Sequence, residues 1–303
     1  MRPFPRVVRI EPASACNLRC SHCPTGTVQM TRGVLKWDDF LIILNQIKKY
    51  SNDIKVLVLY HGGEPFLNPH FFKMVSLLRK VCPEAMIKTV TNGMLLNDDN
   101  IHNLIDCGLD EIEFSLDGTS PGENNFIRRN SDFHIIKDNI HKLIQIKKKQ
   151  NCNLPNIWIA TTQFIYHHDQ MKEDAPIPDY LQKEFFEGIQ GFKSTFAMRW
   201  PDMVVDDKLF NVLSDPDSNE ATECDHVLNT ITIRWNGDVV PCCYDLTSQL
   251  VMGNILEDDL VEIWNNESYA KLIEGIKRRK LNRLCNKCNT LTDTAYLLLK
   301  STE

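Results

Sequence analysis

Short apolar runs alternate along the chain with longer segments whose apolar residues recur every three or four positions. VVRIEP (7–12) reads as a strand, and residues 37–50 follow with the stripe of an amphipathic helix. KVLVLY (55–60) is too short and too β-branched for a helix and reads as a second strand. The pattern then repeats. Residues 70–81 read as helix, AMIKTVTNG (85–93) as strand and turn, 97–107 as helix, and DEIEFSLDG (110–118) as strand and turn. A long helical period over 131–150 leads into NIWIATTQF (156–164) and FKSTFAMRW (192–200), a fifth and a sixth strand.

Strand–helix alternation of this kind predicts parallel strands joined by right-handed crossovers. Folds of that class carry their sites at the carboxyl ends of the strands. The unusual segments all fall there: ACNLRCSHCP (15–24) after strand one, HGGEP (61–65) after strand two, TNG (91–93) after three and SLDG (115–118) after four. The character changes near residue 201. Residues 201–225 are acidic and loop-like, and TITIRWNGDVVPCC (230–243) reads as a hairpin around an Asn-Gly turn. Helical patterns follow at 258–265 and 268–280. This division predicts an α/β domain over 1–200 and a linker with a small α+β domain over 201–303.

Composition narrows the class. In 303 residues, 43% are hydrophobic and 24% charged, as in ordinary globular proteins. The net charge of -6 argues against a nucleic acid or an anionic membrane as partner. The N-terminus lacks an apolar signal core, so a cytoplasmic location is expected. Eleven cysteines are then too many for a reducing compartment unless some bind metal.

Cys16, Cys20 and Cys23 are spaced C-x3-C-x2-C. A cubane iron–sulfur cluster has four irons, so three thiolates leave one iron open, whereas a structural zinc ion takes four ligands. His22 is the residue that a zinc loop would recruit, but it sits between Cys20 and Cys23, where its side chain is expected to point away. The string CNLRCSHC resembles the cluster loop of the radical S-adenosylmethionine (SAM) enzymes. The resemblance implies a partial (β/α)6 barrel of TIM type and a [4Fe-4S] cluster whose open iron is chelated by SAM. It also implies reductive cleavage of SAM to a 5′-deoxyadenosyl radical that abstracts a substrate hydrogen atom. It extends over about residues 5–165. It assigns Gly62, Gly63 and Glu64 to the methionyl amine, and places Asn92 of TNG and Ser115 of SLDG at the cofactor. Asp117 is the expected brace of the SLDG loop. Arg128, in NFIRRNSDF (125–133), is the expected partner of the SAM carboxylate.

A second set, Cys224, Cys242, Cys285 and Cys288, resembles the auxiliary-cluster domain attached to many such enzymes, called SPASM in its long form and twitch in its short form. No cysteine follows Cys288, which matches the short form and implies one further, fully ligated [4Fe-4S] cluster. A four-cysteine zinc ribbon is the other reading of this set. Cys243 is expected on the opposite face from Cys242, and Cys82, Cys107 and Cys152 as buried apolar residues.

A barrel with one fully ligated auxiliary cluster resembles the aminocyclitol dehydrogenases, of 2-deoxy-scyllo-inosamine type. That implies an oxidoreductase that oxidises an alcohol on a small polar biosynthetic intermediate, such as a sugar, cyclitol or nucleotide-linked sugar. The auxiliary cluster would accept the second electron, and a flavodoxin- or ferredoxin-type donor would supply the first. Only about fifteen residues precede the cluster loop, which argues against a peptide-recognition domain. Peptide modification and redox-neutral epimerisation or dehydration stay open, as does a non-catalytic metal-binding protein. Arg199 is the candidate for orienting substrate, since arginine stays protonated, and His168, with His167 beside it, is the candidate base. Gln163 and His61 also face the expected rim.

Overall fold

The computed structural model describes residues 1–214 and 221–300. Six strands follow one another in sequence and in space: β1 (Val7–Ile10), β2 (Val56–Val58), β3 (Met86–Thr91), β4 (Glu111–Ser115), β5 (Asn156–Gln163) and β6 (Gly191–Phe196). Each pairs in parallel with the next. The crossovers carry α1 (Trp37–Lys48), α2 (Phe71–Val81), α3 (Asp98–Asp106), α4 (Pro121–Ile127), α5 (Phe133–Gln150) and the short α6 (Asp179–Glu184).

One face of the sheet explains the apolar pattern. Val8, Ile10, Leu57, Ile87, Ile112, Phe114, Ile157 and Ile159 form a continuous core with Phe40, Ile43, Phe71, Leu78, Leu104, Ile136 and Ile140 of the helices. Burial of each such side chain contributes about 1.5–3 kcal/mol. Alternate strand residues turn to the other face, and these include Arg9, Lys88, Glu113 and Lys193. Caps set the helix ends. The Asn97 side chain accepts from Asn100 N, Ser120 from Glu123 N and Asp132 from His134 N.

The C-terminal hairpin does not stand apart. Its strands β8 (Thr230–Ile233) and β9 (Asp238–Val240) pair antiparallel, and β8 pairs in parallel with β1, Ile10 opposite Ile233. With β10 (Gly253–Asn254) they extend the barrel strands into one nine-stranded sheet, ordered β10-β9-β8-β1-β2-β3-β4-β5-β6 and open between its two ends. Gly237 closes the hairpin at φ +85°, in the left-handed region that favours glycine. Helices α7 (Asp225–Asn229), α8 (Leu260–Trp264) and α9 (Glu267–Lys277) complete this part.

The acidic stretch 201–225 departs from the expected loop. Strand β7 (Phe210–Ser214) lies within it and pairs antiparallel with β11 (Ala295–Leu299), a strand the sequence pattern did not signal. Of β7, Phe210 alone is buried, so no alternation marks it as a strand. It exists because a segment some eighty residues away supplies its partner. The two strands cover a second core of Ile127, Phe164, Ala197, Met203, Phe210, Leu297 and Leu299. Residues 215–220 of the expected linker lie outside the described residues.

Candidate active site

The cluster loop leaves β1 and is pinned along its length. Cys20 pairs with Arg128 in a two-residue ribbon, Arg19 with Arg129. Ser21 N donates to Ile127 O at 2.9 Å, and Cys23 O accepts from Gly26 N and Thr27 N at 2.9 and 3.1 Å. Gly26 is required by close approach: a Cβ there would stand 2.3 Å from Cys20 O. Cys16, Cys20 and Cys23 face one cavity of about 210 Å³. Gly62, Gly63, Glu64, Asn92, Ser115 and Arg128 line the same cavity, so the segments after β2, β3 and β4 meet the cysteine loop at one rim.

The glycines of HGGEP let that segment press against the loop. Gly63 is packed so closely that a Cβ would lie 2.3 Å from Ala15 O, and Glu64 N donates to Ala15 O at 2.9 Å. Glu64 is buried. Its Oε1 accepts from Thr91 Oγ1 and Phe66 N, and its Oε2 from Asn92 N at 2.8 Å. Burial outweighs these donors and raises its pKa to about 6. The amide of Asn92 bridges, giving its Nδ2 hydrogen to Asn17 Oδ1 at 2.8 Å.

Arg128 and Asp117 form a buried pair. Arg128 Nη1 lies 2.6 Å from Asp117 Oδ2, Thr162 N donates to Oδ1, and His22 Nε2 stands 3.3 Å from Oδ2. Burial alone would raise the Asp117 carboxyl, but Arg128 and His22 hold it below its ordinary value. Asp117 therefore faces Arg128 rather than the cavity. Arg128 lines the cavity and keeps its buried Nε without a partner.

Burial raises Cys16, and pushes Cys20 up to about 12 against the pull of Arg128. A thiolate is the ligand form, and the metal charge of a cluster reverses the shift. The cavity fits its cofactors on three counts: three half-buried thiols on one side, close-packed glycine backbone on another, and a carboxylate-seeking Nε left unpaired at Arg128.

Cys224, Cys242, Cys285 and Cys288 are each 5–7% exposed and act electrostatically on one another. Cys224 starts α7, Cys242 follows β9, and Cys285 and Cys288 flank a single 3-10 turn. Burial raises all four, Cys285 to about 12. Cys243 turns elsewhere, its Sγ 3.9 Å from His226 Nδ1.

Between the two cysteine sets lies a second cavity of about 180 Å³. His22 and Cys23 of the cluster loop line it on one side, Tyr244 and Asn289 on the other, and Arg199 with Trp200 between. Arg199 is anchored by its backbone, N to Ala295 O at 2.7 Å, and its side-chain Nε is buried without a partner. His168 does not reach this space. The Gln170 side chain accepts from both Tyr166 N and His167 N, which turns the chain outward after β5 and leaves His167 and His168 exposed. Gln163 is spent on Gly118 O and Thr161 Oγ1. His61 is half-buried in the cofactor cavity wall, its Nε2 3.2 Å from Asp245 O, and desolvation lowers it to about 4. Sequence reasoning missed Glu11. Its Oε1 accepts from Gly62 N at 2.9 Å and its Oε2 from Arg234 Nε at 3.0 Å, joining the HGGEP segment to the hairpin. The signal was present: a charged pair, Arg9 and Glu11, at alternate positions of an otherwise apolar first strand.

Comparison with known proteins agrees with this geometry. The profile of the radical SAM superfamily matches residues 10–160, and that of an iron-sulfur cluster-binding domain, SPASM, matches 224–289. A tungsten-containing aldehyde ferredoxin oxidoreductase cofactor-modifying protein of Pyrococcus furiosus is 24% identical over 312 residues, 92% of this chain and 86% of its own length. BtrN, solved in complex with AdoMet and 2-DOIA, superposes with a TM-score of 0.59 at 17% identity, over 95% of this chain and 94% of its own. SuiB of Streptococcus suis, bound to the precursor peptide SuiA, gives a TM-score of 0.65 at 18% identity, over 95% of this chain and 70% of that one. Both share the fold. The chain belongs to the radical SAM superfamily, a SAM-dependent iron–sulfur enzyme with a C-terminal cluster-binding domain.

Proposed function

We propose that the protein is an oxidoreductase that dehydrogenates an alcohol carbon of a small polar molecule held between the two clusters. One observation carries the reading: a single cavity is bounded by Cys23 of the first thiol set and by Tyr244, next to Cys243 and Cys242, of the second. A substrate there would lie within reach of both centres. When bound, SAM on the first cluster supplies a carbon radical that takes a hydrogen atom, and the second cluster accepts one electron.

The residues of the chain orient these parts. Glu64 would offer its buried carboxylate to the methionyl amine, and Arg128 and Ser115, which line the same cavity, would hold the SAM carboxylate. Asp117 holds Arg128 in place. Arg199 presents an unpaired N–H to the substrate hydroxyl and, being protonated, favours the developing alkoxide rather than acting as base. Oxidation of the alcohol to a ketone would remove one hydrogen atom, one proton and one electron; SAM-derived radical chemistry would take the hydrogen atom, solvent the proton, and the second cluster the electron. A flavodoxin or ferredoxin would be the external one-electron donor.

The test compares wild type with Cys288→Ala, anaerobically reconstituted with iron and sulfide, under dithionite and SAM. Cys288→Ala is expected to lose about half of the iron and to abolish ketone formation, while 5′-deoxyadenosine still forms. Ketone produced at the wild-type rate by the variant would overturn the role of the second cluster.

A further inference from the structure

Beneath the cofactor cavity the inner face of the barrel carries a polar group that the chemistry above leaves unused. Arg9 of β1, Lys88 of β3, Glu113 of β4, Trp158 of β5 and Lys193 of β6 alternate with core residues, so all turn inward. Tyr60, just past β2, joins them. Glu113 Oε1 lies 2.6 Å from Lys193 Nζ and 3.7 Å from Lys88 Nζ. Lys193 sits over the Trp158 ring at 4.7 Å, and the Arg9 guanidinium over the Tyr60 ring at 5.5 Å. Tyr60 feels both Arg9 and Glu113, which joins the two halves of the group. On its other side Arg9 faces Cys243 and His226.

Two features point to a ligand. Arg9 is 8% exposed and its guanidinium bonds to Tyr60 and Cys243, yet its Nε and Nη1 have no partner, and the buried Trp158 Nε1 has none either. Buried donors left unmade are costly and mark places reserved for an acceptor. Lys88 and Lys193 both reach the single carboxylate of Glu113, and Arg9 lies over the Tyr60 ring beside them, so cations outnumber the carboxylate on this face. A phosphate monoester carries about -1.5 to -2 at neutral pH and three acceptor oxygens.

We infer that this inner face binds a phosphate group of the substrate, with the buried Arg9 guanidinium as donor and Lys88 and Lys193 as counter-charges. The inference rests on the proposed reading that substrate enters the barrel, and narrows its class to a phosphorylated small molecule. Tyr60 also lines the cofactor cavity, so the phosphate would lie on the barrel side of the reacting carbon.

Inorganic phosphate is the probe. The anaerobically reconstituted full chain is titrated with it by calorimetry at fixed ionic strength. Wild type is expected to saturate at roughly millimolar phosphate, and Arg9→Met and Lys193→Met each to weaken binding about tenfold. Lys149→Met, on the exposed end of α5, is expected to leave the affinity unchanged. Lys193 is only partly buried, so its variant keeps the test alive if Arg9→Met fails to fold; iron content and the unfolding midpoint report that. Absence of saturation, equal affinity in both variants and wild type, or tighter binding of acetate than of phosphate would overturn the inference. Whether wild type cleaves SAM under dithionite is read separately. Its failure there would sink the radical reading and leave the phosphate result standing.

Discussion

At the scale of single residues, the site is set by desolvated groups held off their ordinary chemistry. His61 is the clearest case, lowered by desolvation to about 4 from the ordinary histidine value of about 6.5. Its neutral form is the one the fold favours, so its contribution to stability is complete above pH 6.5 and is lost as pH falls towards 4. That difference amounts to about 3 kcal/mol. Urea unfolding of the cluster-free protein at pH 7 and pH 4.5 should show the loss, and His61→Gln, which keeps a donor for Asp245 O, should flatten it. An equal pH slope in both proteins would refute the assignment. Glycine at 63 makes a steric prediction. Gly63→Ala sets a Cβ against Ala15 O, so it should cost about 1–3 kcal/mol and lower the iron content. Gly122→Ala, where a Cβ would meet nothing nearer than Ser120 Oγ at 4.0 Å, should do neither.

At the scale of elements, short segments are fastened to one another by buried polar contacts that no periodicity foretells. The six strands and four of the six crossover helices were legible because their apolar residues keep a period of two or of three to four, whereas the short α4 and α6 carried no such period. The cysteine loop and HGGEP were legible because their residue types are rare. What stayed hidden was reach across the chain: β7 has one buried residue and owes its existence to β11, and Glu11 serves two segments 51 and 223 positions away. The position of His168, outside the second cavity, was hidden for the same reason, since the turn that carries it outward is made by the Gln170 side chain. The Asp117–Arg128 pair ties the loop after β4 to the ribbon beside Cys20. Asp117→Asn leaves a buried guanidinium without its counter-charge, so unfolding should be easier by about 3–5 kcal/mol. A loss under 1 kcal/mol would mean that water reaches Arg128. Deleting residues 295–303 removes the partner of β7 and the carbonyl that anchors Arg199 N. Proteolysis within 205–214 should then speed up while iron content holds.

For the whole molecule, the sheet decides how the two cluster-binding parts behave. The hairpin that precedes Cys242 adds its strand β8 directly to β1, the strand that leads into Cys16. Ile231 and Ile233 of β8 share the core that Val8 and Ile10 enter, and the buried Glu11–Arg234 pair spans the same junction. Opening β8 would therefore expose apolar surface on β1 and strand a buried carboxylate. Two parts joined this way should unfold together. Hydrogen exchange followed in urea should show the amides of β1 and of β8 losing protection at one denaturant concentration, with one dependence on urea. Arg234→Met should lower the protection of both strands by the same amount, because Glu11 is left unpaired between them. Early loss of β8 with β1 still protected would instead make the C-terminal part a separately folding unit. The distance between the two clusters would then be set by a mobile joint rather than by the sheet, and the proposed electron transfer across the shared cavity would lose its fixed geometry.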